Sequence, residues 1–485
     1  MSGTSEQSRK EGVSVSTQVQ SSESLDKKNL ILWLLVFGLP VAFWFLPLNL
    51  DPTLHKFFAI TLWGVLSWMV GIIPVEATGL ILPCLYIILG VTSGEVAFAP
   101  WANTVIWVTA TNVLLGVAAD KSGVARRMAY SLLLKMDCNI KGLVWGFSIA
   151  GLVLSLIITD SFARAVIFIT IAVGLCRSLE IPFQSKESTA LGLAAFFGMS
   201  GPSIMTLTGG NGLQLISVYR EVVPTGEYAM NYFTWLLHNL LPGLAWTLLG
   251  VFCILKFIKL GDGRCFNARE ELVARKTEMG KMSVREWAVV FVMVFLVLDY
   301  IFAANLGLDP YLVAAACVPF FFLPKVGIMT AEDFNLADFK ILFMMTGAMA
   351  IGGTAASLGV VGLMTEAVAP LIGGSAVKMV FGTFVVSTLA NFILTPLAII
   401  FSLSQAFAEM ALSLGINPLP VMYALNFGTD VYMFPYEFAI LLLCYSFGLM
   451  EYKTTVKVLA ARFVGAFVVM AVICLPCWYF MGLLS

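Results

Sequence analysis

Residues 159–164 read Thr159-Asp160-Ser161-Phe162-Ala163-Arg164, inside a stretch that is otherwise apolar. A carboxylate and a guanidinium four residues apart share one helix face. Two chemistries fit that pairing. The charges can neutralise each other and hold a turn, or Arg164 can take an oxyanion on its planar fork while Asp160 takes a cation. Charge inside a bilayer costs about 2.5–3.5 kcal/mol on insertion scales, so such groups are as a rule paired or functional. A second polar island, Asn391 with Thr395 and Pro396, interrupts the apolar run 379–408. Two further interruptions are clusters of helix breakers. One is Gly198-Met199-Ser200-Gly201-Pro202 with Thr206-Leu207-Thr208-Gly209-Gly210-Asn211-Gly212. The other is Asn426-Phe427-Gly428-Thr429-Asp430, followed by Pro435 and Glu437. Asp430 suits a cation or a proton, and Glu437 equally that role or a tether to the cytoplasmic loop.

The elements that position these groups are membrane helices. Of the 485 residues 59% are hydrophobic and 12% charged, against roughly 25% charged in a soluble domain. Charge-free runs at 30–50, 57–75, 96–119, 188–219, 341–365, 379–408 and 463–485 reach the roughly 20 residues a spanning helix needs. So many runs exclude a soluble protein with a few buried helices, and the lack of period-two alternation excludes a β-barrel. The run after Lys27 and Lys28 is too long for a cleavable signal peptide. A net charge of −1 gives no footprint for nucleic acid. His55 and His238 are isolated, and Cys474-Leu475-Pro476-Cys477 lies in an apolar segment where helix packing explains it better than metal or redox chemistry. No Ser/His, paired-Asp or His/Glu set at depth suggests an intramembrane enzyme. No catalytic residue and no cofactor is expected.

Helices are predicted near 29–48, 54–73, 76–92 and 97–118, then an amphipathic stretch at 121–135. An interrupted region at 140–177 and segments at 188–222 and 228–256 follow. The second half gives 286–304, 308–324, 338–357, an interrupted region at 374–414, then 417–450 and 454–483. The second arm of the first interrupted region, 165–176, is about 12 residues, too short to span. Lys and Arg gather in the tail, at 121–135, across 256–285 and at 453–462, which assigns those loops to the cytoplasm. The expectation is an all-α, multi-pass integral membrane protein of the cell membrane, with about 11 transmembrane helices plus two re-entrant hairpins in two inverted repeats. Its N-terminus is cytoplasmic and its C-terminus extracytoplasmic. The chain divides into a disordered cytoplasmic tail (1–28), the first transmembrane helix and first repeat (29–256), a cytoplasmic linker (257–284) and the second inverted repeat (285–485). Two local echoes support a repeat. Ala118-Ala119-Asp120-Lys121-Ser122-Gly123-Val124 returns as Ala355-Ala356-Ser357-Leu358-Gly359-Val360, and Leu179-Glu180-Ile181-Pro182 as Leu414-Gly415-Ile416-Asn417.

Matching interruptions in two halves point to a transporter's binding site, because broken backbone at depth must line an enclosed or watery cavity. Half-helix N-termini there suit an anion. Freed carbonyls and Ser, Thr or Asn oxygens suit a small cation. With these breaks and Gly415-Ile416-Asn417-Pro418-Leu419, the chain resembles the divalent anion/sodium symporter family of the ion transporter superfamily, which carries dicarboxylates, citrate or sulfate. The Thr208-Gly209 pair before Asn211 looks more like its citrate/dicarboxylate exchanger branch. Family hairpin tips carry Ser-Asn-Thr. Here the first tip reads Thr159-Asp160-Ser161, or Asp160-Ser161-Phe162 if Ala163-Arg164 is aligned with the exchanger branch, and the second keeps only Asn391. The resemblance implies a secondary active transporter working by alternating access on a dicarboxylate, tricarboxylate, sulfate or sulfonate, coupled to Na+. Alternatives are an exchanger, an H+-coupled carrier, or an intramembrane sensor. Expected anion ligands are Ser161, Arg164, Thr208, Asn391, Thr395 and Thr429. Expected cation ligands are Thr159, Asp160, Gly198, Ser200, Asn391, Gly428 and Asp430. Expected partners are a small anion, the lipid bilayer and a second copy of the chain, with no nucleic acid.

Overall fold

The computed structural model describes residues 27–484 apart from Asn49, Ile157, Thr159, Asp160, Thr225, 261–267, 307–309, Lys325, Asp338, Val361, 364–365, 367–369, 371–373 and Ile393. Among the described residues every regular element is helical. The first half holds α1 (Lys27–Trp33, continuing through a π-helical turn to Leu39–Phe45), α2 (Pro52–Val70), α3 (Val75–Ile88), α4 (Gly94–Ala102), α5 (Thr104–Ser122) and α6 (Val124–Leu133). It continues with α7 (Ile140–Ser155), α8 (Ser161–Ser178), α9 (Lys186–Ser200), α10 (Gly212–Val222) and α11 (Tyr232–Phe257). After α12 (Arg269–Glu278) come α13 (Val284–Leu306), α14 (Pro310–Cys317), α15 (Lys340–Ser357), α16 (Ala376–Ala390), α17 (Pro396–Ser413), α18 (Pro418–Gly428), α19 (Ala439–Ser446) and α20 (Tyr452–Phe480).

Local chemistry sets the starts. Asp51 accepts from Thr53 N at 2.8 Å ahead of Pro52, Asn139 from Gly142 N at 2.7 Å, and Asn417 from Leu419 N at 2.9 Å ahead of Pro418. A side-chain oxygen there satisfies a donor that the first turn leaves free, and proline at the first helical position gives up no helical bond. Four helices are individually long and apolar enough to cross a membrane: α8, α11, α17 and α20. Around them the outer surface is apolar, with Phe45, Ile88, Phe291 and Phe480 exposed, as lipid contact requires.

Four expectations are corrected. The second arm of the first hairpin is not about 12 residues, because α8 has 18, about 27 Å of helix. The region 453–462 is not a loop, since α20 starts at Tyr452 and Arg462 lies buried well inside it. The stretch 97–118 is two helices meeting at Asn103, and the linker 257–284 contains α12.

Both echoed segments end helices in the same way. α5 and α15 close on Gly123 (φ 81°) and Gly359 (φ 71°). α8 and α17 close on Glu180 (φ 51°) and Gly415 (φ 68°), with Ile181 N bonded to Cys176 O and Ile416 N to Ala411 O, both at 2.8 Å. This is the left-handed C-terminal cap with its six-to-one bond.

The basic segments 121–135 and 256–285 meet through Arg127. Lys121 pairs with Asp333 at 2.5 Å, and Arg127 pairs with Glu286 at 2.5 Å while donating to the carbonyls of Met279 and Gly280. Gln184 N and the Ser188 hydroxyl both bond Leu449 O. Asp333 sits outside the apolar helices, and the Lys121 ammonium, with Thr330 N–H, holds its carboxyl below the usual range.

Candidate functional site

Two hairpins and two broken segments bring their polar ends together. α7 ends at Ser155 and α8 starts at Ser161; α16 ends at Ala390 and α17 starts at Pro396. Each hairpin lies against the helix that leads into a break. A side-chain carbon on Gly151 of α7 would strike the Gly198 carbonyl of α9, and one on Gly428 of α18 would strike the Ser387 hydroxyl and Phe384 carbonyl of α16. Backbones approach this closely only where the side chain is a hydrogen.

At the breaks lies a cavity of about 10 Å³, room for one water-sized body. Ser161, Ser200, Ser203, Asn426, Thr429 and Asp430 are among its walls. The N-terminus of α8 reaches it through Ser161 and that of α10 through Asn211, while the C-terminal ends of α9 and α18 reach it through Ser200 and Thr429. Positive and negative helix ends therefore face one small volume, a polarity that suits either an anion or a cation.

Of the predicted ligands, Ser161, Ser200, Thr429 and Asp430 line the cavity. Gly198 and Gly428 form the crossings just behind it. Arg164 is fully buried and turned onto the polypeptide: it donates to the carbonyls of Ile158 and Gly209, to Thr208 O at 3.4 Å and to Ser161 Oγ at 3.0 Å. It thereby joins the first hairpin tip to the first break. Thr208 donates its hydroxyl to Ser155 O at 2.7 Å, tying the same two segments. Asn391 does the equivalent in the other half, donating to Gly428 O at 2.8 Å and Val431 O at 3.1 Å. Thr395 caps α17 by accepting from Ala398 N at 3.4 Å. Thr159 and Asp160, and with them the proposed Asp160–Arg164 pair, lie outside the described residues. Glu437, expected as a tether to a loop, instead accepts from Met433 N and Phe434 N, both at 3.0 Å.

Sequence reasoning missed Arg462. This residue of α20 is 2% exposed, and its guanidinium carbon lies 3.7 Å from the Trp246 ring centroid and 4.3 Å from that of Phe197. It faces Asp430, whose Oδ2 accepts from Trp246 Nε1 at 2.6 Å and whose Oδ1 accepts from the Tyr432 hydroxyl at 3.3 Å. The available signal was position: a run beginning at 454 puts Arg462 two turns inside a helix, where an ionisable group is a functional candidate.

Residues 26–484 match the family described as "Sodium:sulfate symporter transmembrane region". The chain is 25% identical over 285 residues to the sodium-dependent dicarboxylate transporter SdcS of Staphylococcus saprophyticus, covering 54% of this chain and 52% of that protein. It is 23% identical over 330 residues to the chloroplastic dicarboxylate transporter 2.2 of Arabidopsis thaliana, covering 65% of this chain and 58% of that protein. The chain thus spans between half and two thirds of the length of these curated relatives.

Proposed function

The chain belongs to the sodium:sulfate symporter family, whose members are transporters rather than enzymes, and from that premise we propose that it carries a small oxyanion across the membrane by alternating access. The observation that carries this reading is that each hairpin tip is tied to the break of its own half and that the two breaks share one cavity. Two such tip-and-break pairs around one cavity fit hairpins entering from opposite faces. Such a site lies near the midplane, the usual place for substrate in transporters built from inverted repeats. The names of the relatives favour a dicarboxylate among the candidate anions. The end where Lys121, Arg127 and Leu449 make their contacts is assigned to the cytoplasm. It suits eleven crossings with the N-terminus inside and the C-terminus outside. A homodimer is proposed from the resemblance alone.

Na+ coupling is the first reading for the second half, where Asn391 sits beside Gly428 O and keeps its own amide oxygen free of hydrogen bonds among the described residues. A second reading, exchange or H+ coupling, is favoured by Arg164. Its guanidinium already engages the carbonyls of Ile158, Thr208 and Gly209, the kind of freed oxygens that would otherwise serve a cation in the first half. Uptake of labelled succinate, citrate, sulfate and a sulfonate into proteoliposomes tests both readings. The conditions are a Na+ gradient, a pH gradient, and preloaded counter-anion. Accumulation of at least one anion under one of these conditions is expected. If none of the four moves under any condition, the transport reading fails.

A further inference from the structure

Arg462 keeps a charge in the apolar interior with few groups to hold it. The Trp246 and Phe197 rings stabilise the cation through their faces, yet an aromatic face accepts no ordinary N–H hydrogen bond from the edge of the fork. That edge looks toward Ser200 Oγ, 3.5 Å from Nη1, and Asp430 Oδ2, 3.8 Å from Nη2. The second distance is within ion-pair range and beyond hydrogen-bond range. Among the described residues, Nε and Nη2 have no hydrogen-bond partner. Buried guanidinium donors are nearly always satisfied, so two left open mark a group short of an acceptor.

The two oxygens that Arg462 faces are not arbitrary. Ser200 and Asp430 both line the cavity, and they hold the same place in Gly198-Met199-Ser200 and Gly428-Thr429-Asp430. Arg462 comes from neither break. It lies on α20 and reaches the point where the two breaks meet. Asp430, by contrast, is well held by Trp246 and Tyr432 without a hydrogen bond from Arg462.

We propose that Arg462 is a ligand for the transported anion, taking an oxygen pair of a carboxylate, sulfate or sulfonate, and that Asp430 is the counter-charge the anion displaces from it. The assignment rests on the anion-transport reading and deepens it. A planar fork with an open edge matches two oxygens of one oxyanion. The long Asp430 contact neutralises Arg462 without engaging that edge. The cavity admits no more than a water-sized body, so an oxyanion can reach the edge only as the Asp430 wall withdraws.

Binding to the purified protein in detergent tests this, read as the ligand-induced shift in melting temperature across titrations of succinate, citrate, sulfate and a sulfonate. Wild type is compared with Asp430→Asn, Arg462→Lys and the double variant Arg462→Gln/Asp430→Asn, which removes both charges and so leaves none buried alone. Asp430→Asn is expected to bind about tenfold more tightly, because the competing carboxylate is gone. The double variant should bind about 100-fold more weakly, in the range for truncating a buried charge partner, and Arg462→Lys about tenfold more weakly because an ammonium has no fork. A folded double variant within twofold of wild type overturns the assignment. If the double variant does not fold, unchanged affinity in Arg462→Lys, or weaker binding in Asp430→Asn, overturns it. Wild type that responds to none of the four anions removes the anion reading itself, and this inference with it.

Discussion

Arg164 and Arg462 are the two arginines fully buried among the described residues, and they hold their charge in opposite ways. Arg164 spends its donors on three backbone carbonyls and a serine hydroxyl; Arg462 rests on aromatic faces with part of its edge open. The first pattern is that of a brace, the second that of a ligand. Arg164→Gln is expected to lower stability by about 3–5 kcal/mol, since several buried carbonyls lose a charged donor and each left unsatisfied costs about 1–3 kcal/mol. Chemical denaturation in detergent micelles measures it. A variant as stable as wild type would show that those bonds carry no structural weight. Arg164 was legible in the sequence because it sits beside Asp160 within an apolar run. Arg462 was not, because charge density alone grouped it with Lys453 and Lys457 as a loop. Burial against aromatic rings is a tertiary property that one-dimensional charge counting cannot see.

Helices in this fold cross where glycine permits, and the crossings sit directly behind the cavity. Gly151→Ala would drive a methyl into the Gly198 carbonyl, and Gly428→Ala into Ser387 and the Phe384 carbonyl. Backbone cannot yield there as a side chain can, so each substitution is expected to cost about 1–3 kcal/mol. Gly353 of α15 meets nothing within 4 Å, and Gly353→Ala is expected to be neutral or stabilising by up to about 1 kcal/mol. Thermal denaturation of the three variants checks the contrast; equal effects would mean that the crossings are not tight. The breaks themselves were readable, because clusters of Gly, Pro and Asn inside apolar runs interrupt a helix whatever surrounds them. Arm length was not, since a sequence does not show that Arg164 is held by carbonyls inside the helix packing rather than lying at its rim.

Across the whole molecule, ionic and backbone contacts join distant stretches of chain at the end assigned to the cytoplasm. Lys121 to Asp333 spans the two halves. The Asp333 carboxyl is held below its ordinary range, so it contributes stability above the usual carboxylate pKa of about 4 and loses it as pH falls through its lowered folded value. Wild type should therefore melt above Asp333→Asn at neutral pH, and the two should converge as pH drops below about 4. A gap that persisted in acid would show that the contact is not ionic. Helical class, membrane embedding and family were legible in composition and breaks, because apolar runs of about twenty residues match the thickness of a bilayer. Side-to-side contacts such as this one depend on three-dimensional placement and carry no periodic trace.

Under the proposed repeat, the matched helix ends give the chain two versions of each local solution, so that it can serve as its own relative. At the ends of α5 and α15 both versions keep glycine for the left-handed turn, at positions 123 and 359. At the ends of α8 and α17 the backbone turns the same way, yet one version carries Glu180 and the other Gly415. The turn is what was inherited there, and the residue drifted. Behind the cavity, Gly198 and Gly428 agree in residue as well as in place, and there a neighbouring backbone leaves room for nothing larger.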